Sequence, residues 1–298
     1  LLLASEYRPV VFHVFSNYSF PTAFTFTKYK PGKIIFDNYD LLTGMFKDAE
    51  NITSYTDLEQ YCYMHADGIC SRDLRPQYLV RKLGYQLPPR LLFSEYCWPG
   101  KKFKRSQKLT DDIHVVYVGS IALNPASVEA YQYELAVLLS NNGIHFHIYP
   151  SHSHIVQQMK RIMLEFLKPE IAEKYIHIHD TISPLEIREE ISKYHYGLLI
   201  STTEVDFVDE NGTYLKHMGD YLLPSKAFDY LDAGLYTISQ NAKYIRFLLE
   251  RYKNGKIGVS LEEIAEICKS SPPNKINVPA SMLLESNVNR LITFYKGL

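Results

Sequence analysis

The sequence is short of the features that mark many classes of protein. Of its 298 residues only four are cysteines and one is a tryptophan. Cys62, Cys70, Cys97 and Cys268 stand far apart and form no closely spaced pair. That spacing argues against a disulfide framework and against a zinc-ribbon pattern, and it predicts reduced thiols in a cytoplasmic protein. An excess of charge of one sign is missing too, since 32 Lys and Arg face 33 Asp and Glu, for a net charge of -1. With no overall field to gather a polyanion, no nucleic-acid partner is expected, and an anionic ligand must be held by local groups. No apolar run reaches the roughly 18 to 20 residues of a bilayer-spanning helix, and Leu1-Leu2-Leu3-Ala4 is too short for a signal-peptide core. Low-complexity segments and short repeats are absent. Three sequons, at Asn17, Asn51 and Asn211, are what chance gives in a chain of this length.

What is present is material for a large core. Hydrophobic residues make up 46% and charged residues 22%, and a chain of this size buries about three quarters of its extended surface, in about two domains. Short β-branched and aromatic runs at Val10 to Phe15, Lys33 to Phe36, Gly68 to Cys70 and Arg90 to Phe93 predict strands, with helices best seen at Asp57 to Ala66 and Leu74 to Leu83. The segment Pro99 to Asp112 interrupts this pattern with Lys101, Lys102, Lys104, Arg105 and Lys108 around Phe103, and reads as a linker. After it, strands are expected at 113–118, 144–149, 175–179, 196–201, 235–239 and 257–259. Helices fill the gaps at 127–140, 154–167, 184–193, 225–233, 242–252 and 261–268. Strand and helix alternation of this kind predicts an α/β fold of parallel, doubly wound sheets. The expected division is an incomplete Rossmann-like domain over 1–98, a basic linker over 99–112, and a complete Rossmann-like domain with a terminal helix over 113–298. Ala4 to Arg8 reads as the tail of a helix running into the first strand, and no Met precedes it. The expectation is therefore the downstream part of a longer chain.

In such sheets ligands bind beyond the carboxyl ends of the strands. Gly119 and Ser120 follow the first strand of the second domain, and Thr181 follows the third. The most informative stretch is Pro224 to Ser239, PSKAFDYLDAGLYTIS. Pro224 and Ser225 suit a helix start, where free amides and the dipole favour an anion. Lys226 and Asp229 then share one helix face, a cation for a diphosphate and a carboxylate that can accept two ribose hydroxyls. The same spacing also fits an ordinary amphipathic helix with an exposed Lys and Asp. In the first domain Asp37 and Asp40 end the strand at 33–36, and His13 lies near the end of the strand before it. A carboxylate or imidazole there can accept a proton from a hydroxyl, while turn capping is the bland alternative. Arg72 and Asp73 are weaker candidates. The pairs His145/His147, His152/His154 and His177/His179 recur at i, i+2 on or beyond strands. They lack clustered carboxylates, and no metal site is expected from them.

The stretch PSKAFDYLDAGLYTIS resembles the Pro-x-Lys-x-Phe-Glu-Tyr-Leu-Ala-Ala-Gly-Leu-Pro-Val-Ile segment of group 1 nucleotide-sugar glycosyltransferases. VVYVGS before it and YGLLIS stand in the order that family shows. The resemblance implies the GT-B architecture and transfer of a sugar from a nucleoside diphosphate sugar to an acceptor hydroxyl, with the anomeric configuration retained. It implies no protein-bound metal or other cofactor. It assigns the ribose carboxylate to Asp229, the diphosphate to Lys226 with the amides of Ser225, Lys226 and Ala227, and further donor contacts to Gly119, Ser120 and Thr181. His13, Asp37 and Asp40 fall near the reacting sugar. A glycan or a lipid-linked acceptor is implied, and the latter would suit a peripheral enzyme touching anionic headgroups through Lys101 to Lys108. The chain departs from the family pattern at Tyr221, where a second Glu is common, at Tyr236, where Pro is usual, and in the lack of basic residues over 120–126. A noncatalytic binding protein of the same architecture and a sugar-nucleotide epimerase are the alternatives.

Overall fold

A computed structural model describes residues 10–16, 20–39, 52–97, 105–109, 112–119, 131–200, 218–240, 243–270, 272 and 276–298. The chain divides into two compact units. One comprises Leu1–Glu95, Glu204–Leu223 and Glu285–Leu298, the other Tyr96–Thr203 and Pro224–Leu284.

The first unit holds a four-stranded parallel sheet in sequential order: β1 Val11–Ser16, β2 Lys33–Asn38, β3 Gly68–Ser71 and β4 Arg90–Leu92. Its helices are α1 Phe20–Tyr29, α2 Ile52–His65 and α3 Arg75–Leu83. Alternation along the strands sorts the two faces. Ile34, Phe36 and Ile69 join Phe20, Tyr63 and Tyr78 in one core. Ile35, Asp37, Gly68 and Cys70 look the other way, by the register Ile35 opposite Gly68 and Asp37 opposite Cys70. That second face is covered by the terminal helix of the chain. A methyl group on Gly68 would come 2.8 Å from the Phe294 ring.

The second unit is a six-stranded, all-parallel sheet in the order β10-β9-β8-β5-β6-β7. Its strands are β5 His114–Val118, β6 His145–Tyr149, β7 Ile176–Ile178, β8 Tyr196–Leu199, β9 Tyr236–Ser239 and β10 Gly255–Ile257. The helices are α4 Tyr131–Asn141, α5 Val156–Phe166, α6 Pro169–Tyr175, α7 Ile187–Ile191, α8 Lys226–Ala233, α9 Lys243–Tyr252 and α10 Leu261–Lys269, and the terminal helix of the first unit is α11 Leu284–Lys296. The core of the sheet is built from Val115, Phe146, Ile148, Leu198 and Ile238, closed by Leu135, Met159 and Ile264 from the helices. Strand order reverses between β5 and β8, which makes their carboxyl ends the switch point where open α/β sheets hold ligands.

Each strand expected from the sequence is present, with ends shifted by a residue or two. Two helices come as additions. α1, FPTAFTFTKY, is rich in Phe and Thr, which favour strands, and it is helical because Phe20 and Ala23 pack into the core. α6 is a single short run started by Pro169. Residues 105–109 of the expected linker run along the second unit. Arg105 donates to the carbonyls of Leu231 and Asp232 at the end of α8 and to that of Ile276, and Lys108 donates to Tyr194 and Gly234. Gly234 ends α8 with φ +71°, and a side chain there would meet the Arg105 guanidinium at 2.7 Å. Burial, with Arg105 nearby, pulls the Lys108 pKa down to about 8. All four cysteines are buried and free. Among the described residues no helix is long and apolar enough to cross a membrane.

Candidate functional site

The site begins with the way α8 is held. Phe228 and Leu231 are buried, Phe228 edge-on against the Tyr96 ring, while Lys226 and Asp229 occupy a half-buried face one turn apart. Tyr230 is fully buried. Its hydroxyl accepts from the Val118 amide at 3.0 Å and donates to the Leu198 carbonyl at 3.1 Å. Those two groups sit at the ends of β5 and β8, so one phenol pins the helix to the switch point. The ring lies over Gly197, where a methyl group would come within 2.5 Å of it.

This anchoring brings Lys226 onto the end of β5. Its ammonium lies 4.2 Å from the centroid of the Tyr117 ring, close enough for a cation–π contact. Gly119 lies beside it with φ +133°, a backbone conformation that side chains rarely adopt, and a Cβ there would stand 3.0 Å from the Lys226 Nζ. The conformation therefore favours glycine, and any side chain there would push the Lys226 ammonium aside. Removal from water pulls the Lys226 pKa down to about 8, with Asp229 acting in the opposite direction. At the start of α8 the Ser225 side chain makes no capping bond, and the Ala227 amide is committed to the Pro224 carbonyl at 3.1 Å.

Asp229 is paired with Arg188 of α7, whose Nε donates to Oδ1 at 2.7 Å, while Nη1 lies 3.2 Å from Asp232 Oδ2. One guanidinium is thus clamped between two carboxylates of α8. A carboxylate has about four lone-pair sites, so this bond fixes Asp229 without exhausting it. Lys226, Asp229, Ser225, Ala227 and Gly119 are brought together. Thr181 follows the edge strand β7, two strands away from β5. Ser120 lies outside the described residues, as do Asp40, Lys101, Lys102, Lys104 and the sequon asparagines. Tyr221 belongs to the first unit, where it packs edge-on against Tyr78 with ring centroids 5.6 Å apart.

In that unit His13 and Asp37 meet. His13 Nε2 lies 2.8 Å from Asp37 Oδ2, and Nδ1 lies 2.6 Å from the Tyr295 hydroxyl. A carboxylate can only accept, which assigns the proton to Nε2 and leaves Nδ1 to accept from the phenol. Arg72 stacks on the Tyr39 ring at 3.9 Å and bonds Glu95, and Asp73 is buried and paired with Arg75.

The histidines of β5, β6 and β7 form a ladder on one sheet face. His114 pairs with His147 at 2.8 Å, His147 with His179 at 3.0 Å, and His145 with His177 at 2.8 Å. The rings stack from strand to strand and end against Tyr149 and Tyr194. A neutral imidazole donates through one nitrogen and accepts through the other, so these rings spend their nitrogens on each other. Burial and neighbouring histidines hold the pKa of His147 far below the ordinary value and lower that of His177 to about 4. His152 and His154 stack on each other in an exposed turn.

Sequence reasoning passed over Arg188, Tyr117 and Tyr295. Tyr230 stood in the stretch already singled out, at the Tyr of the pattern it resembles, four residues after Lys226. Arg188 carried no local signal, because its partners lie on another helix.

No protein-family model and no curated protein matches the sequence. Solved structures do match the fold. Sucrose-phosphate synthase from Thermosynechococcus elongatus is similar at 11% identity with a TM-score of 0.67, over 99% of this chain and 75% of that one. An α,α-trehalose-phosphate synthase (UDP-forming) from Burkholderia vietnamiensis matches at 10% identity and a TM-score of 0.56, over 98% of this chain and 70% of that one. The UDP-GlcNAc 2-epimerase of Methanocaldococcus jannaschii matches at 10% identity and a TM-score of 0.54, over 100% of this chain and 79% of that one. The parallel sheets of four and six strands, with this likeness, are those of the GT-B fold.

Proposed function

We propose that this chain of GT-B fold is a nucleotide-sugar-dependent glycosyltransferase, moving a sugar from a nucleoside diphosphate sugar to an acceptor hydroxyl. The observation that supports it most is the apposition of Gly119 and Lys226 at the switch point, beside an oriented Asp229. In this reading the diphosphate lies over Gly119, where no Cβ blocks it, against the Lys226 ammonium and the amides of Ser225 and Lys226 at the start of α8. Asp229, held by Arg188, accepts the ribose hydroxyls. As the bond between sugar and diphosphate breaks, negative charge grows on the leaving phosphate. Lys226 and the helix dipole, fixed in place beforehand, stabilise that charge more than they stabilise the intact donor. Retention of the anomeric configuration belongs to the same proposal. Asp37, oriented by His13, accepts the proton of the acceptor hydroxyl. Ser120, Thr181 and Asp40 are assigned to the donor and acceptor sides from the sequence alone.

The solved structures of similar fold include a sucrose-phosphate synthase, a trehalose-phosphate synthase and a UDP-GlcNAc 2-epimerase, and the shared fold does not by itself separate a transferase from an epimerase. The transferase reading takes precedence because Lys226 falls on the Lys of the transferase segment and Asp229, one methylene shorter, on its Glu. No resident cofactor is assigned to the reaction. A lipid-linked acceptor and headgroup contact through the 101–108 segment rest on Lys101, Lys102 and Lys104, since Arg105 and Lys108 are turned onto backbone carbonyls.

Calorimetric titration of UDP and GDP into the full chain tests the donor site. One nucleotide binds, and Asp229→Ala weakens it about tenfold, or ~1.4 kcal/mol. Equal affinity in the variant removes the assignment. Incubation with the sugar nucleotide alone separates the chemistry: slow donor hydrolysis fits a transferase, and an isomerised sugar nucleotide marks an epimerase.

A further inference from the structure

Beyond the donor site, the first unit brings three different metal-ligating groups to one place. Among the described residues His13, Asp37 and Cys70 are the group whose nitrogen, oxygen and sulfur atoms all lie within 4.8 Å of one another. They come from three adjacent parallel strands. The register sets Asp37 directly opposite Cys70 and sets Phe15 opposite Asp37, so His13, two residues before Phe15, reaches the same face from the next strand. None of them belongs to the histidine ladder of the other unit.

We propose that His13, Asp37 and Cys70 form a binding site for a divalent transition metal of the zinc type. The donor set is a mixed N, O and S group, which suits a borderline-soft ion over the oxygen-seeking Mg²⁺ or Ca²⁺. Ligand atoms around tetrahedral zinc stand about 3.3 to 3.7 Å apart at ordinary bond lengths. His13 and Asp37 stand 2.8 Å apart and all three ligand atoms lie within 4.8 Å of one another, close to that spacing. For an ion to enter between His13 and Asp37 the imidazole proton moves from Nε2 to Nδ1, which then donates to the Tyr295 hydroxyl, and the Cys70 thiol releases its proton to solvent as it becomes a thiolate ligand. The other ring nitrogen of His13 already bonds the Tyr295 hydroxyl at 2.6 Å, the outer-sphere contact that fixes a ligating imidazole. Cys70 is buried and His13 exposed, so the thiol end is enclosed while the imidazole end gives an entry path. Three protein ligands leave a fourth position for water or another ligand. The inference does not rest on the transferase reading. If both hold, a bound metal occupies His13 and Asp37, and metal occupancy and proton acceptance by Asp37 exclude each other.

Cobalt(II) is the probe. Titrated into the metal-free full chain, one equivalent gives visible bands of tetrahedral coordination and a near-ultraviolet thiolate-to-cobalt charge-transfer band, and Zn²⁺ displaces it. The charge-transfer band persists in Cys97→Ser and disappears in Cys70→Ser. Tyr295→Phe lowers affinity by about 10- to 100-fold, and His13→Gln, at an exposed position that tolerates change, by more. No charge-transfer band in the parent chain, or a band retained in Cys70→Ser, overturns the site. Should Cys70→Ser fail to fold, unchanged cobalt affinity in His13→Gln overturns it equally.

Discussion

At the scale of single residues, Gly119 and Lys226 answer to each other. The glycine has no Cβ to fend off the ammonium, and the ammonium has left bulk water to lie over Tyr117. Gly119→Ala therefore adds backbone strain at φ +133° and pushes the ammonium aside. A loss of about 1 to 3 kcal/mol in urea unfolding is expected, with at least about tenfold weaker nucleotide binding by calorimetry. The lowered pKa of Lys226 has a pH signature. The side chain is charged below about 8 and neutral above it. Nucleotide affinity should fall as pH rises through that value, and Lys226→Arg, which stays charged, should flatten the profile. A flat profile in the parent chain would remove Lys226 from the diphosphate. The positions of Lys226, Asp229 and Gly119 at the strand end and helix start were legible beforehand, since each follows from a pattern in the chain. Arg188 was not, because only the packing of α7 on α8 brings it to Asp229. Cys70 was equally hidden: alternation tells which face a strand residue takes but not which strand will stand next to it.

At the scale of elements, the sequence pattern carried the strands well because parallel strands are continuous apolar runs bounded by polar turns. It failed at α1, where Phe and Thr argue locally for a strand and the burial of Phe20 and Ala23 decides for a helix. It also left open what the histidine pairs would do. β5, β6 and β7 align them into a ladder of hydrogen-bonded, stacked rings. His147, His177 and His179 all have lowered pKa values, chiefly through burial. In the unfolded chain they take up protons near pH 6.5, whereas in the folded chain they resist until lower pH. Protons thus bind the unfolded state more tightly, and stability present above about pH 6.5 is lost as pH falls towards 4. The urea midpoint should decline through this window, and His147→Phe should make the decline shallower whatever it does to stability at neutral pH. A midpoint constant from pH 7 to about 4 would show that the rings are charged in the folded state.

At the scale of the whole molecule, the first unit is assembled from three separate stretches of chain, the last of which is Glu285–Leu298. Its sheet face over Gly68 is closed by Phe294 and Leu298. Phe294→Ala removes a half-buried ring from that face and should lower stability by about 1 to 3 kcal/mol, less than the loss for a fully buried Phe. Nucleotide titration of the same variant should be unchanged. In the sequence the break falls near residue 99, whereas the second unit starts at Tyr96 and takes in the expected linker; the return of the terminal helix to the first unit carried no local signal, since an amphipathic helix does not name its partner. That return also sets a timetable for biosynthesis. β3 leaves the ribosome long before the helix that will cover it, and at about 5 to 20 residues per second the open face waits for tens of seconds. During that interval Ile35, Gly68 and the uncovered sheet are a surface for chaperones to hold or for neighbouring nascent chains to seize.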